Sequence, residues 1–125
     1  LEIQAPINGL YTAIQHTEHD WIQLVSCDLP LIDADVFQIL WNTKTQESNV
    51  VIPLNNNQLQ VTCALYHRRI LNYLESAIDK NDLSLLSLIK NLKTTKVNFN
   101  SDKRFWNMNT KKNLVEISNY LANKL

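Results

Sequence analysis

A run of strand length, Trp21-Ile22-Gln23-Leu24-Val25, passes through Ser26-Cys27-Asp28-Leu29-Pro30-Leu31 into a helix-like pattern that starts near Asp33. Strand, short join and helix make a βα unit, and such units assemble into sheets covered by helices. Pro30 fixes the backbone of the join and would break a helix that ran through it. The apolar run through Cys27 has the character of a central strand covered on both faces. Open α/β sheets bind their ligands in the crevice outside the carboxyl ends of the strands. Asp28 stands at such an end, where its carboxylate can meet a divalent cation and a phosphate.

The rest of the chain keeps the alternation. Pro6-Ile7-Asn8-Gly9 reads as a loop turning into a helix, with Leu10, Ala13 and Ile14 as the apolar stripe and an end near Glu18. Residues 32–45 have helical spacing, with Asp33 as a plausible N-cap and Val36, Phe37, Leu40 and Trp41 on one face. A strand at 49–54, a turn at Asn55-Asn56-Asn57 and a second strand at 59–66 make a hairpin. A helix at 68–79 turns Ile70, Leu71, Leu74 and Ile78 inward. Asp82 or Ser84 caps the next helix, which carries Leu85, Leu88, Ile89 and Leu92. Lys96-Val97-Asn98-Phe99 is a short strand and 105–109 is extended. Thr110 then has the place of an N-cap to a last helix with Leu114, Ile117 and Leu121 inward.

Composition narrows the function classes. A chain of 125 residues suits one domain with one core, and its 45% apolar content is too high for disorder. Twelve basic and twelve acidic residues balance, so no basic stripe points to nucleic acid. A compact anionic ligand fits all the same, because metal ions and helix N-termini hold phosphate without a basic surface. No apolar run reaches the roughly 18 residues of a spanning helix, and Leu1-Glu2-Ile3-Gln4 lacks the features of a signal peptide. Cys27 and Cys63 lie in apolar runs and read as buried, reduced thiols of a cytoplasmic protein. Gly9 is the one glycine, where typical usage would give about nine. A glycine-rich phosphate loop therefore cannot form within this sequence, and the chain does not start with methionine. Both facts raise the expectation that a preceding portion is missing.

Three segments, in order, resemble the C-terminal two-thirds of the molybdenum cofactor guanylyltransferases, the MobA family. Ala5-Pro6-Ile7-Asn8-Gly9 is similar to the family's Gly-Pro-Leu-Ala/Ser-Gly at a helix start. Cys27-Asp28-Leu29-Pro30 is similar to its Cys-Asp-X-Pro, and Asn107-Met108-Asn109-Thr110 to its Asn-X-Asn-Thr before the last helix. Between them, Val61-Thr62-Cys63-Ala64-Leu65-Tyr66 looks like the strand after the family's variable hairpin.

The resemblance implies a Rossmann-like nucleotidyltransferase, an α/β three-layer sandwich. Residues 1–125 would then be the C-terminal portion of a single domain whose phosphate-loop portion is absent. It implies Mg²⁺-dependent transfer of GMP from GTP to molybdopterin, with this chain as the metal and acceptor side, inactive when alone. Asp28 would be catalytic and a metal ligand. Pro6, Asn8 and Gly9 would line the nucleotide side. Asn107 and Asn109 would face them across the crevice, with Asn109 able to help hold the metal. Mg²⁺ prefers hard oxygen ligands, which suits Asp28 and not Cys27.

Three departures bear on the substrates, the first on the base site and the other two on the acceptor. Asn8 stands where a small residue is usual, Gln60-Val61 replaces a His-Pro pair, and Asp82 to Leu92 lacks arginines common in the family there. Two alternatives therefore stand beside the first reading. One is a cytidylyl- or sugar-phosphate nucleotidyltransferase, and the other is a non-catalytic binding module of the same fold. Neither nucleic acid nor a membrane is expected as a partner. A sheet missing its first strand would expose apolar surface, so a chain that is poorly soluble, or paired with another copy, is expected.

Other chemistry-bearing residues have plainer readings. His16 and His19, spaced three apart, could face the same side and bind metal, but no third ligand is evident and they read as surface residues. Cys63 with His67 reads as a buried cysteine rather than a thiol nucleophile, and Lys111-Lys112 as a solvated helix start. Trp21, Trp41 and Trp106 read as core.

Overall fold

The computed structural model describes residues 6–106 together with Ser118, Leu121 and Ala122. Within them the chain forms helix α1 (Pro6–His16), strand β1 (Trp21–Leu24), helix α2 (Ala34–Thr43), strands β2 (Val50–Asn55), β3 (Gln58–Leu59) and β4 (Ala64–His67), helices α3 (Leu71–Asp79) and α4 (Leu85–Ile89) and strand β5 (Thr94–Asn100). Single 3₁₀ turns lead into α3 (Arg68–Ile70) and follow β5 (Lys103–Phe105). The last helix expected after Thr110 lies almost wholly outside the described residues.

The strand pairings give three strands one direction. β4 runs antiparallel to both β1 and β2, and β2 runs parallel to β5. β1, β2 and β5 therefore point the same way, and their carboxyl ends share one edge of the sheet. Val50 pairs with Tyr66 and with Thr94, so β4 and β5 flank β2 on opposite sides.

Alternation along the strands builds a core on each face. Val50, Ile52, Ala64 and Tyr66 pack with Ile7, Leu10, Ile14, Ile70 and Leu74 from α1, the turn before α3, and α3, and with Leu85, Leu88 and Ile89 of α4. Val51, Cys63 and Leu65 face the other way, against Val36, Phe37 and Leu40 of α2, with Leu29 and Phe105. Helices cover both faces of a mixed sheet, the three-layer arrangement expected. Each fully buried Leu or Ile in these layers contributes roughly 1.5–3 kcal/mol of transfer free energy.

Several boundaries differ from expectation for identifiable reasons. The strand expected at 59–66 is broken, because Pro53 on β2 has no N–H for the ladder. Gln60 N–H still donates to Pro53 C=O at 2.9 Å, but 60–63 then bulges out before β4 begins. The buried Tyr66 hydroxyl donates to the Val61 carbonyl and satisfies that bulge. β1 is a partly exposed strand paired, among the described residues, with β4 alone, and not a covered central strand. It stops at Leu24, which leaves Val25 and Cys27 exposed, so only Cys63 is the buried thiol expected of both cysteines. Burial pushes the Cys63 thiol up to about 12. Trp41 is 45% exposed rather than core, with the Lys44 ammonium 4.1 Å above its ring. Residues 103–105 form a 3₁₀ turn where an extended stretch was expected to begin at 105.

In a chain with one glycine, asparagine takes the left-handed backbone positions. Asn56, Asn57, Asn81 and Asn100 all have φ between 51° and 61°. Asparagine is among the few non-glycine residues that tolerate this left-handed region. Asn56 and Asn57 form the β2–β3 turn.

Candidate active site

Three loops meet at the carboxyl edge, one after each parallel strand. The first is the join after β1. Leu29 N–H reaches Ser26 C=O at 3.4 Å and Ile32 N–H reaches Leu29 C=O at 3.3 Å, so the join is two successive turns. Leu29 is buried against α2 and pins those turns to the core. Its neighbour Asp28 is exposed, and its backbone N–H donates to Ser26 Oγ at 3.1 Å. Among the described residues the Asp28 carboxylate makes no hydrogen bond or ion pair. Asp33 then caps α2, accepting from Val36 N–H at 3.2 Å, an interaction worth about 1 kcal/mol.

The second and third loops are tied together. Asp102 N–H donates to the Asn55 side-chain oxygen at 2.9 Å, and Ser101 Oγ donates to Asn56 Oδ1. These bonds join the end of β2 to the segment after β5. Asp102 also caps the following 3₁₀ turn, accepting from Arg104 N–H at 2.9 Å. The Arg104 guanidinium beside it holds the Asp102 carboxyl below the usual carboxylate range. The same hydrogen bonds push Arg104 upward.

Pro6, Asn8 and Gly9 occupy the first turn of α1. Pro6 to Gly9 are already helical, rather than a loop turning into a helix. The short link 17–20 turns α1 back into β1, so the N-terminus of α1 is directed toward the carboxyl edge. Gly9 has helical backbone, and a Cβ there would meet nothing within 4 Å. Nothing in the fold itself demands glycine at this position, although Gly in a helix interior costs about 0.5–1 kcal/mol. Asn107 and Asn109 lie outside the described residues, as do Thr110 and Lys111-Lys112. The chain reaches Asn107 directly from Trp106.

The site thus gathers Asp28 and the start of α1 toward one edge, beside a polar network of Asn55, Asn56, Ser101, Asp102 and Arg104. Arg104 is the residue that sequence reasoning missed. Its partners Asp33 and Asp35 are 71 and 69 positions away, so no local pattern could disclose it. Among the described residues no group of three or more His, Cys, Asp or Glu side chains is placed to hold a metal by itself. His16 and His19 are exposed, and Cys63 is buried away from any nucleophilic role. A single exposed hard-oxygen ligand, Asp28, fits Mg²⁺, which commonly keeps several waters and is held by one or two carboxylates with substrate phosphates. No helix of the described residues is long and apolar enough to cross a membrane.

The MobA-like NTP transferase domain family matches residues 2–96. The chain belongs to this family. It is 28% identical over 116 residues to a molybdenum cofactor guanylyltransferase of Vibrio campbellii, covering 92% of this chain and 60% of that protein. A similar match to the Photobacterium profundum molybdenum cofactor guanylyltransferase is 27% identical over 93% of this chain and 60% of the relative. The chain thus spans about 60% of the length of these MobA-like relatives. Among solved structures, a protein from Aquifex aeolicus VF5 matches with TM-score 0.77 and 26% identity, over 89% of this chain and 60% of that one. The molybdopterin-guanine dinucleotide biosynthesis protein A of Archaeoglobus fulgidus has the same fold, with TM-score 0.77 and 20% identity over 95% of this chain and 63% of that one.

Proposed function

We propose that the protein transfers the guanylyl group of GTP to molybdopterin with Mg²⁺, and that this chain forms the metal and acceptor side of the site. The observation that carries the reading is the exposed carboxylate of Asp28, without a partner among the described residues, in the turn after β1 of a MobA-like chain. The names of the similar proteins support guanylyl transfer and the molybdenum cofactor over other nucleotides and acceptors.

In this reading an acceptor phosphate oxygen attacks the α-phosphorus of GTP, and the bond to the leaving pyrophosphate breaks. Bound Mg²⁺ would neutralise charge on the phosphates. Asp28 would hold that cation. The first turn of α1, with Pro6, Asn8 and Gly9, lies on the nucleotide side, where a helix N-terminus favours an anion. Asn107 and Asn109 would complete the opposite wall. A glycine-rich phosphate loop would come from sequence outside residues 1–125, making these residues the C-terminal portion of one domain.

The test is pyrophosphate release and dinucleotide formation by the full-length protein, with GTP, CTP and ATP offered separately to molybdopterin and Mg²⁺. Preference for GTP is the expected outcome. Preference for CTP would move the assignment to a cytidylyl transfer. No transfer from any nucleotide would leave a binding module of the same fold.

A further inference from the structure

Three segments of the carboxyl edge converge on one guanidinium. Arg104 Nε and Nη2 approach Asp102 at 3.1 and 2.9 Å, while Nη1 reaches Asp33 at 3.1 Å and Asp35 at 3.0 Å. Asp102 follows β5, whereas Asp33 and Asp35 begin α2, directly after the join that carries Asp28. Two of these carboxylates have a second task. Asp33 caps α2, and Asp102 caps the turn in which Arg104 itself lies. The side chains of Arg104 and Asp102 are only 23% and 22% exposed, so solvent screens the pair less than an ordinary surface bridge. Beneath the clamp, Leu29 and Phe105, the neighbours of Asp28 and Arg104, are buried in one cluster.

We propose that Arg104 is a positioning residue that holds the start of α2 against the segment after β5 and so fixes where the Asp28 join stands across the crevice. Its catalytic consequence rests on the transfer reaction proposed above. The geometry needs an arginine. A planar fork can serve carboxylates on two sides at once, whereas a lysine ammonium is a point charge that cannot span them in this way. The same network takes in β2 through the Asn55–Asp102 bond, so one set of polar contacts links all three loops.

The test combines amide hydrogen exchange over 25–33 with transfer kinetics on the full-length protein. The variants are Arg104→Ala, Arg104→Lys and Asp35→Asn, with Arg68→Ala as a control because its exposed pairing with Asp20 lies at the start of β1. Both Arg104 variants are expected to speed exchange at 27–33 by about tenfold while α3 exchanges as in wild type. They should lower kcat by about tenfold with little change in KM for the nucleotide. Asp35→Asn should shift both readouts the same way by less, and it serves if an Arg104 variant does not fold. Unchanged exchange at 27–33, or full recovery of kcat in Arg104→Lys, would overturn the proposal. If wild type transfers no nucleotidyl group, the reaction assignment fails on its own. The exchange result then still decides whether Arg104 positions the join.

Discussion

The two faces of the sheet are built differently. One is sealed by α1, α3 and α4 over an almost wholly aliphatic core running from Ile7 to Leu92. The other is covered by α2 and by short segments, Leu29 and Phe105, that belong to the loops of the candidate site themselves. On the first face, the core meets the proposed site only at the start of α1, where Ile7 is buried between Pro6 and Asn8. On the second, the side chains that fill the core sit next to Asp28 and Arg104, so packing positions the site.

Truncating Leu74 on the first face, or Leu29 on the second, breaks this comparison most sharply. Both are buried, and each change to Ala should cost about 2–5 kcal/mol in denaturant unfolding. Leu74→Ala should leave kcat close to wild type in the fraction that remains folded. Leu29→Ala should lower it as well, because the Asp28 turn loses its anchor. Equal kcat in the two variants would show that the faces do not differ in this way.

Smaller changes sharpen the comparison. Asn57 has φ 61°, so Asn57→Ala should cost about 1 kcal/mol and Asn57→Gly almost nothing. Gly9→Ala should stabilise α1 by about 0.5–1 kcal/mol, since space is open around it. If the start of α1 lies against nucleotide, the same change should raise KM for GTP. A stabilised protein with unaltered KM would remove Gly9 from the site.

Titration separates the regions with the smallest effect. His67 Nδ1 accepts from Arg69 N–H at 3.0 Å, and its pKa is lowered by burial first and then by Arg69. Its folded form resists protonation, so its contribution is present above the ordinary value of 6.5 and is lost as pH falls below it. Asp102 is also depressed, chiefly by its hydrogen bond to Arg104. Its contribution persists to lower pH and is lost on falling through its folded value, beneath the ordinary 3.8. Thermal melts should therefore weaken in two stages on acidification. His67→Gln should remove the upper stage and Asp102→Asn the lower.

The layers of the fold were legible because periodicity is local. Ile7, Leu10 and Ile14 mark a helix face, and Val50-Val51-Ile52 marks a strand covered on both sides. The Asp33 cap was readable for the same reason. The broken strand was less so, since it depends on Pro53 facing Gln60 across a pairing that only the fold defines. Cys27 and Trp41 misled because apolar character extends past the ends of β1 and the covered face of α2. The turn that carries Asp28 was legible from its join, whereas the Arg104 network was not. An ion cluster assembled from residues 33, 35, 102 and 104 leaves no periodic trace.

The most direct test compares wild type with Asp28→Ala in full-length protein, following GTP-dependent transfer to molybdopterin against Mg²⁺ concentration alongside thermal melting. Asp28 is exposed, so the melt should move by no more than about 0.5 kcal/mol. Transfer should fall by about a hundredfold or more, with a weakened dependence on Mg²⁺. Activity and Mg²⁺ dependence that survive the substitution would contradict the assignment of the metal site to the turn after β1.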